Sequence, residues 1–79
     1  MDQKEFGALH ASCVGAFRNY ASEADITATL LVDCTAEPMP FPARLQIALQ
    51  ESIENAAHSV YLAEKRLLHD AARLGYAFT

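Results

Sequence analysis

The C-terminal half of the chain carries a long helical pattern that dominates what the protein can fold into. Apolar residues recur there at spacings of three and four over about 32 residues, which predicts one helix about 48 Å long. This main row consists of Leu45, Leu49, Ile53, Ala56, Val60, Ala63, Leu67, Ala71 and Leu74. A second apolar row lies beside it and consists of Ala57, Tyr61, Leu68 and Ala72. A rod of this length is hard to cover with what remains of a 79-residue chain.

Prolines and a glycine indicate where this helix begins and ends. Pro38, Pro40 and Pro42 exclude a helix through residues 37–41, because proline lacks a backbone N–H and clashes with the preceding turn. Pro42 suits the first turn of a helix, where that N–H would be unpaired anyway. Gly75 follows the last periodic residue and is a candidate C-cap. The pattern therefore predicts a helix from Ala43 to Leu74.

The N-terminal segment also has helical spacing. One stripe contains Phe6, Leu9, Cys13, Phe17 and Tyr20, while charged side chains fall outside it. Gly7 and Gly15 weaken this helix by about 1 kcal/mol each relative to alanine. We expect them to mark places where another helix comes close.

Residues 26–35 are ambiguous between helix and strand, because several of them are β-branched and the run is short. A lone strand has no partner within this chain. We therefore predict a second helix here, capped by Ser22 or Asp25. The alternative is a strand that pairs with its own copy across a dimer.

These segments predict a single all-α domain over residues 1–79, a three-segment helical bundle with one long C-terminal helix. If the first two segments form a hairpin near Glu23, Cys13 lies beside Cys34 and the end of the long helix is bare. If they run end to end, Cys13 lies beside Leu67, but two layers of helix cannot enclose the wide apolar faces. Both layouts leave apolar helix surface uncovered.

A homodimer is the expected remedy for that uncovered surface. Domains this small have marginal cores and usually recruit a disulfide, a metal or a second copy, and a twofold axis lets one stripe bury itself. The predicted dimer interface is Leu49, Ile53, Ala56, Val60, Ala63 and Leu67. Under the simpler interpretation, this row is the core of a monomer.

Composition excludes several classes of protein. The net charge is -4 and 52% of the residues are hydrophobic, which is typical of a small globular domain rather than a disordered chain. No apolar run approaches the roughly 20 residues that a membrane span needs, so we expect no membrane partner. The N-terminal Met-Asp-Gln-Lys-Glu lacks the layout of a secretion signal, which predicts a cytoplasmic location.

His10, Cys13 and Cys34 are the candidate ligand residues. In a helical hairpin the two cysteines would face each other and could form a disulfide, or bind a metal together with His10. Their spacing lacks the second ligand pair of a zinc site, so two buried thiols are the simpler interpretation. We expect no cofactor, and a ligand- or metal-binding sensor is the alternative function.

The remaining polar groups do not form a catalytic pattern. Glu54 and His58 have the spacing of an exposed helix pair, and a set of Cys13, His10 and Asp33 lacks any loop for an oxyanion hole. We therefore expect no enzymatic activity.

The basic patch of Arg66, His69 and Arg73 suits the C-terminal dipole of the helix, and the acidic chain makes nucleic acid an unexpected partner.

The sequence as a whole predicts a small non-catalytic protein–protein interaction module that acts as a homodimer. Such a module would serve as an adaptor, a regulator or an assembly subunit. Its expected partner is itself, and a second kind of protein partner stays open.

Overall fold

A computed structural model describes residues 2–33 and 38–74 of the chain. Two α-helices account for nearly all of these residues: α1 spans Gln3–Asp33 and α2 spans Phe41–Arg73. No strand occurs within the two described ranges. The expected all-α class and the long C-terminal helix are therefore confirmed.

The ends of α2 lie close to where the prolines place them. Pro40 is the N-cap, with an extended backbone (φ -60°, ψ 150°), and Pro42 lies in the first turn. At the other end, Leu74 is the C-cap and its backbone N–H donates to the Asp70 carbonyl at 3.0 Å. Gly75, the expected C-cap, lies outside the described residues.

The predicted three-segment division is not confirmed, because α1 continues without a break through residues 22–25. Those residues include no glycine or proline that would end a helix. The β-branched residues that suggested a strand are accommodated instead. The Thr27 hydroxyl donates to the Glu23 carbonyl at 3.1 Å, and the Thr29 hydroxyl donates to the Asp25 carbonyl at 2.9 Å. Both bonds reach back one turn, which satisfies the hydroxyls inside the helix.

The N-terminal cap of α1 lies at the start of the chain rather than at Ser22 or Asp25. The Asp2 carboxylate accepts the backbone N–H of Glu5 at 2.8 Å. An acidic side chain in this position satisfies an unpaired N–H and interacts favourably with the helix dipole. Residues 26–33, which the sequence left open as a strand, are helical, and residues 34 and 35 lie outside the described residues.

The two helices pack antiparallel as one long hairpin, with principal extents of 59 × 14 × 13 Å. The Phe17 and Tyr61 rings meet edge to face with centroids 5.3 Å apart, and the Tyr20 ring lies 4.7 Å from that of His58. Nearer the connection, Gln50 bonds to Glu23. This is the end-to-end arrangement of the first two expected segments, fused into one helix.

The contact between α1 and α2 encloses little. Among the described residues, the buried side chains are Cys13, Thr27, Ile47, Ala57 and Ala71, and none of them is completely shielded from solvent. The radius of gyration is 17.6 Å, whereas a compact chain of this length has one of about 12 Å. Two helices side by side therefore do not form a closed core.

Candidate functional site: an exposed apolar row on helix α2

All six residues of the predicted interface lie on the surface of the hairpin. Leu49 is 60% exposed, Ile53 51%, Val60 55% and Leu67 54%. Ala56 and Ala63 are exposed between them. We call these six residues the α2 row.

The α2 row faces away from α1 because of its register. Each of its members directly precedes a residue that is buried or half-buried, and consecutive residues of a helix point about 100° apart. The residues that follow the row and face α1 are Gln50, Glu54, Ala57, Tyr61, Glu64 and Leu68. Helix α2 thus has two faces, and α1 covers the one that does not contain the row.

The two faces of α2 differ sharply in polarity. The face toward α1 includes the half-buried side chains of Gln50, Glu54 and Glu64, whereas the α2 row contains only aliphatic side chains. Hydrophobic burial normally places the most apolar face inside. In this hairpin the more apolar of the two faces is left to solvent.

The polar side of α2 is held by a specific contact at its N-terminal end. The Gln50 side-chain amide donates to the Glu23 carboxylate at 2.7 Å and to the Glu23 carbonyl at 3.2 Å. Thr27, which is buried, donates to the same carbonyl. Sequence reasoning missed this cluster. A glutamine on the flank of an apolar row was the available signal, but it required knowing which face meets α1.

Apolar side chains extend the α2 row at both ends. Leu45 is exposed one turn before Leu49, and Leu74 is exposed two turns after Leu67. Asp70 occupies the position between Leu67 and Leu74 and forms a 3.9 Å ion pair with Arg73. Ala71, which the spacing also assigned to this row, is buried against α1 instead. The aliphatic surface therefore runs continuously only from Leu45 to Leu67.

Two open grooves are lined by residues of both helices. Ala24, Thr27, Ala28, Leu31, Glu51, Glu54 and Asn55 line one groove, of about 350 Å³. A groove of about 270 Å³ is lined by His10, Cys13, Val14, Phe17, Tyr61 and Leu68. No residue of the α2 row lines either groove.

The candidate ligand residues are only partly brought together. His10 and Cys13 line the same groove together with Leu68, which places buried Cys13 at the part of α2 that the end-to-end layout expected, next to the position of Leu67 in the sequence. Cys34 lies outside the described residues. The hairpin near Glu23 that was to bring the cysteines level does not form, because α1 is continuous there. Among the described residues, no group of three or more His, Cys, Asp or Glu side chains is placed to hold a metal ion.

The acid–base candidates are also placed differently from the expectation. Glu54 and His58 are both half-buried on the side toward α1, and the His58 ring lies against the Tyr20 ring at a tilt of 37°, so they are not the exposed pair that the spacing indicated. Asp33 lies about 30 Å along α1 from Cys13, so the thiol, imidazole and carboxylate set is not assembled.

Basic side chains gather on the last turns of α2. Arg66 and Arg73 are exposed, and Arg73 pairs with Asp70 at 3.9 Å while both side chains stay at least half exposed. An exposed pair of this kind contributes little to stability. The arrangement fits the interaction of basic groups with the C-terminal helix dipole.

Neither helix of the described part combines the length and the apolar content that crossing a bilayer requires. No protein-family model matches the chain, and no curated protein or solved structure matches it significantly. The functional argument therefore depends on the surface of the hairpin itself.

Proposed function

We propose that the protein is a non-catalytic helical interaction module that acts as a homodimer through the α2 row. The observation that carries this proposal is the exposure of the whole row in the isolated hairpin. An exposed row of six aliphatic side chains over five helical turns is unfavourable in water, and it marks an interaction site. Such a module would serve as an adaptor, a regulator or an assembly subunit. We also propose that it acts in the cytoplasm.

The total surface of the chain supports a partner of substantial size. The accessible surface is 5793 Å², whereas a compact monomer of 8.6 kDa exposes about 4,700 Å². The excess is about 1,100 Å² per chain. A standard stable protein–protein interface buries about 800 Å² on each partner. The hairpin thus exposes enough additional surface to form one such interface.

A second copy suits this surface better than a small ligand does. The α2 row follows the length of a rod, and small-molecule sites are concave rather than linear. Two hairpins that pair through their α2 helices form a four-helix bundle, the arrangement in which amphipathic helices usually enclose a core. A twofold axis lets both copies bury the same row at once.

A ligand-binding sensor is the second candidate function. It is favoured by the groove that His10 and Cys13 share with Tyr61 and Leu68. Metal analysis of protein purified without chelator separates this candidate from the first. Stoichiometric metal that is lost in a His10→Ala variant would favour the sensor.

A charge placed in the α2 row tests the interface directly. Val60→Lys puts two ammonium groups into the symmetric contact, where an unpaired charge is strongly unfavourable. Lysine is at least as good a helix former as valine, so the hairpin itself is not expected to suffer. We expect light scattering to show a monomer for this variant and a dimer for the native chain.

Val32→Lys is the matched control, because it makes the same change at a residue of α1 that is 75% exposed and lies outside the α2 row. We expect this variant to remain a dimer. The interface assignment would be wrong if Val32→Lys dissociated the dimer while Val60→Lys left it intact.

A further inference from the structure

We propose that the two copies pair antiparallel, with the twofold axis crossing α2 between Ala56 and Val60. This inference rests on the proposed homodimer and specifies how the second copy lies on the α2 row. It follows from two independent features: the order of large and small side chains along the row, and the separation of charge along the hairpin.

The spacing of the α2 row is the same in both directions. Its steps are four, three, four, three and four residues, so a reversed copy can lie on it position for position. In that superposition Leu49 meets Leu67 of the second copy, Ile53 meets Ala63, and Ala56 meets Val60. Each inner layer then joins one large side chain with one alanine. Layers of equal volume allow two helices to pack at a constant separation.

A parallel pairing of the same row is uneven. Every residue then meets its own copy, so Ile53 faces Ile53 and Val60 faces Val60, while the Ala56 and Ala63 layers contain only methyl groups. Helix separation depends on the side chains in contact. Straight helices held apart by the isoleucine layer would leave voids at the alanine layers, and voids in a packed core are destabilising.

Charge along the hairpin favours the same antiparallel arrangement. The half nearer the connection, residues 19–33 and 41–57, contains one cation and five anions, a net charge of -4 (1 - 5). The cation is Arg44, and the anions are Glu23, Asp25, Asp33, Glu51 and Glu54. The other half, residues 2–18 and 58–74, contains five cations and four anions, a net charge of +1 (5 - 4). The cations are Lys4, Arg18, Lys65, Arg66 and Arg73, and the anions are Asp2, Glu5, Glu64 and Asp70.

This distribution opposes a parallel dimer. A parallel pair places two halves of charge -4 side by side, whereas an antiparallel pair places each of them beside a half of charge +1. Packed helices are separated by about 8–10 Å, close to the screening length of about 8 Å at physiological salt. Repulsion between the acidic halves is therefore only partly screened, and the antiparallel pair avoids it.

The native chain permits a direct test by nuclear magnetic resonance. In a dimer mixed from isotopically labelled and unlabelled chains, we expect intermolecular Overhauser contacts between Ile53 and Ala63 methyl groups. These two residues are about 15 Å apart along one helix, so such a contact cannot arise within a chain. A dimer with contacts from Ile53 to Ile53, or with contacts confined to the groove lined by Phe17 and Tyr61, would overturn the arrangement.

Cysteine cross-linking gives a second test that does not depend on resonance assignment. Ser52 and Arg66 are exposed, and each directly precedes a residue of the α2 row. With the native cysteines replaced by alanine and serine (Cys13→Ala, Cys34→Ser), we expect Ser52→Cys chains mixed with Arg66→Cys chains to form a mixed disulfide. Each variant alone is expected to cross-link poorly, because the two copies of its cysteine are about 20 Å apart along the bundle.

Ser59→Cys serves as the control in the same background. Ser59 lies near the proposed axis, so it is expected to cross-link to its own copy and to show that the background still dimerises. Efficient cross-linking of Ser52→Cys to itself would demonstrate a parallel dimer and overturn this inference alone. A native chain that sediments as a monomer would refute the proposed function as well.

Discussion

Replacing the half-buried Gln50 with alanine is expected to destabilise the hairpin far more than the same change at Gln46, an exposed glutamine of α2. The Gln50 side chain joins the two helices by hydrogen bonds, at 2.7 Å to the Glu23 carboxylate and 3.2 Å to the Glu23 carbonyl. Removing it leaves a half-buried carboxylate without this donor.

The magnitude follows from the kind of bond that is lost. A hydrogen bond to a charged group contributes about 1.5–3 kcal/mol, and the site is only part-buried, so a loss of about 1–2 kcal/mol is expected. For a chain of this size, each kcal/mol corresponds to about 4–8 °C in Tm. We therefore expect Gln50→Ala to lower Tm by roughly 4–16 °C, a range that combines both uncertainties.

Gln46→Ala is the matched control, since Gln46 is exposed one turn earlier on the same helix. Both variants make the same change in side chain and helix propensity, so their difference isolates the contact with Glu23. Thermal unfolding should be followed by circular dichroism at one fixed protein concentration, because dimerisation couples Tm to concentration. Equal Tm values for the two variants would refute this account of the hairpin register.

Three further substitutions test other parts of the structure. Ile47→Ala removes a side chain that is only 8% exposed, so it should lower the free energy of unfolding, measured in urea, by about 2–3 kcal/mol. Val32 is 75% exposed, so Val32→Ala should change that free energy by less than about 0.5 kcal/mol. Similar losses for both would contradict the assigned packing face. Gly7→Ala should raise that free energy by about 0.5–1 kcal/mol, since nothing lies within 4 Å of the added methyl group. A decrease would show that another element approaches there.

Much of α2 could be predicted from the sequence because its signals are local. The three- and four-residue spacing fixed its helical state, and Pro40 and Pro42 mark its beginning. The continuity of α1 was harder to foresee. Threonine hydroxyls bonded to carbonyls one turn back allow β-branched residues inside a helix, and residue preferences alone do not reveal those bonds.

The sequence also could not reveal which apolar row of α2 meets α1. Both rows have helical spacing, and the α2 row is the more apolar, so burial alone favours it as the inner face. The other face is inside because it complements α1: Gln50 meets Glu23, Tyr61 meets Phe17, and His58 meets Tyr20. Such pairings depend on the partner helix and its register. Exposure of the α2 row was therefore a structural finding, although its six residues had been identified as an interface from spacing.

Sedimentation equilibrium of the unmodified chain tests the claim that α2 needs a second copy. At micromolar concentration, we expect a species of twice 8.6 kDa, about 17 kDa. A stable monomer of 8.6 kDa at micromolar concentration would contradict the account, because the α2 row would then stay open to solvent.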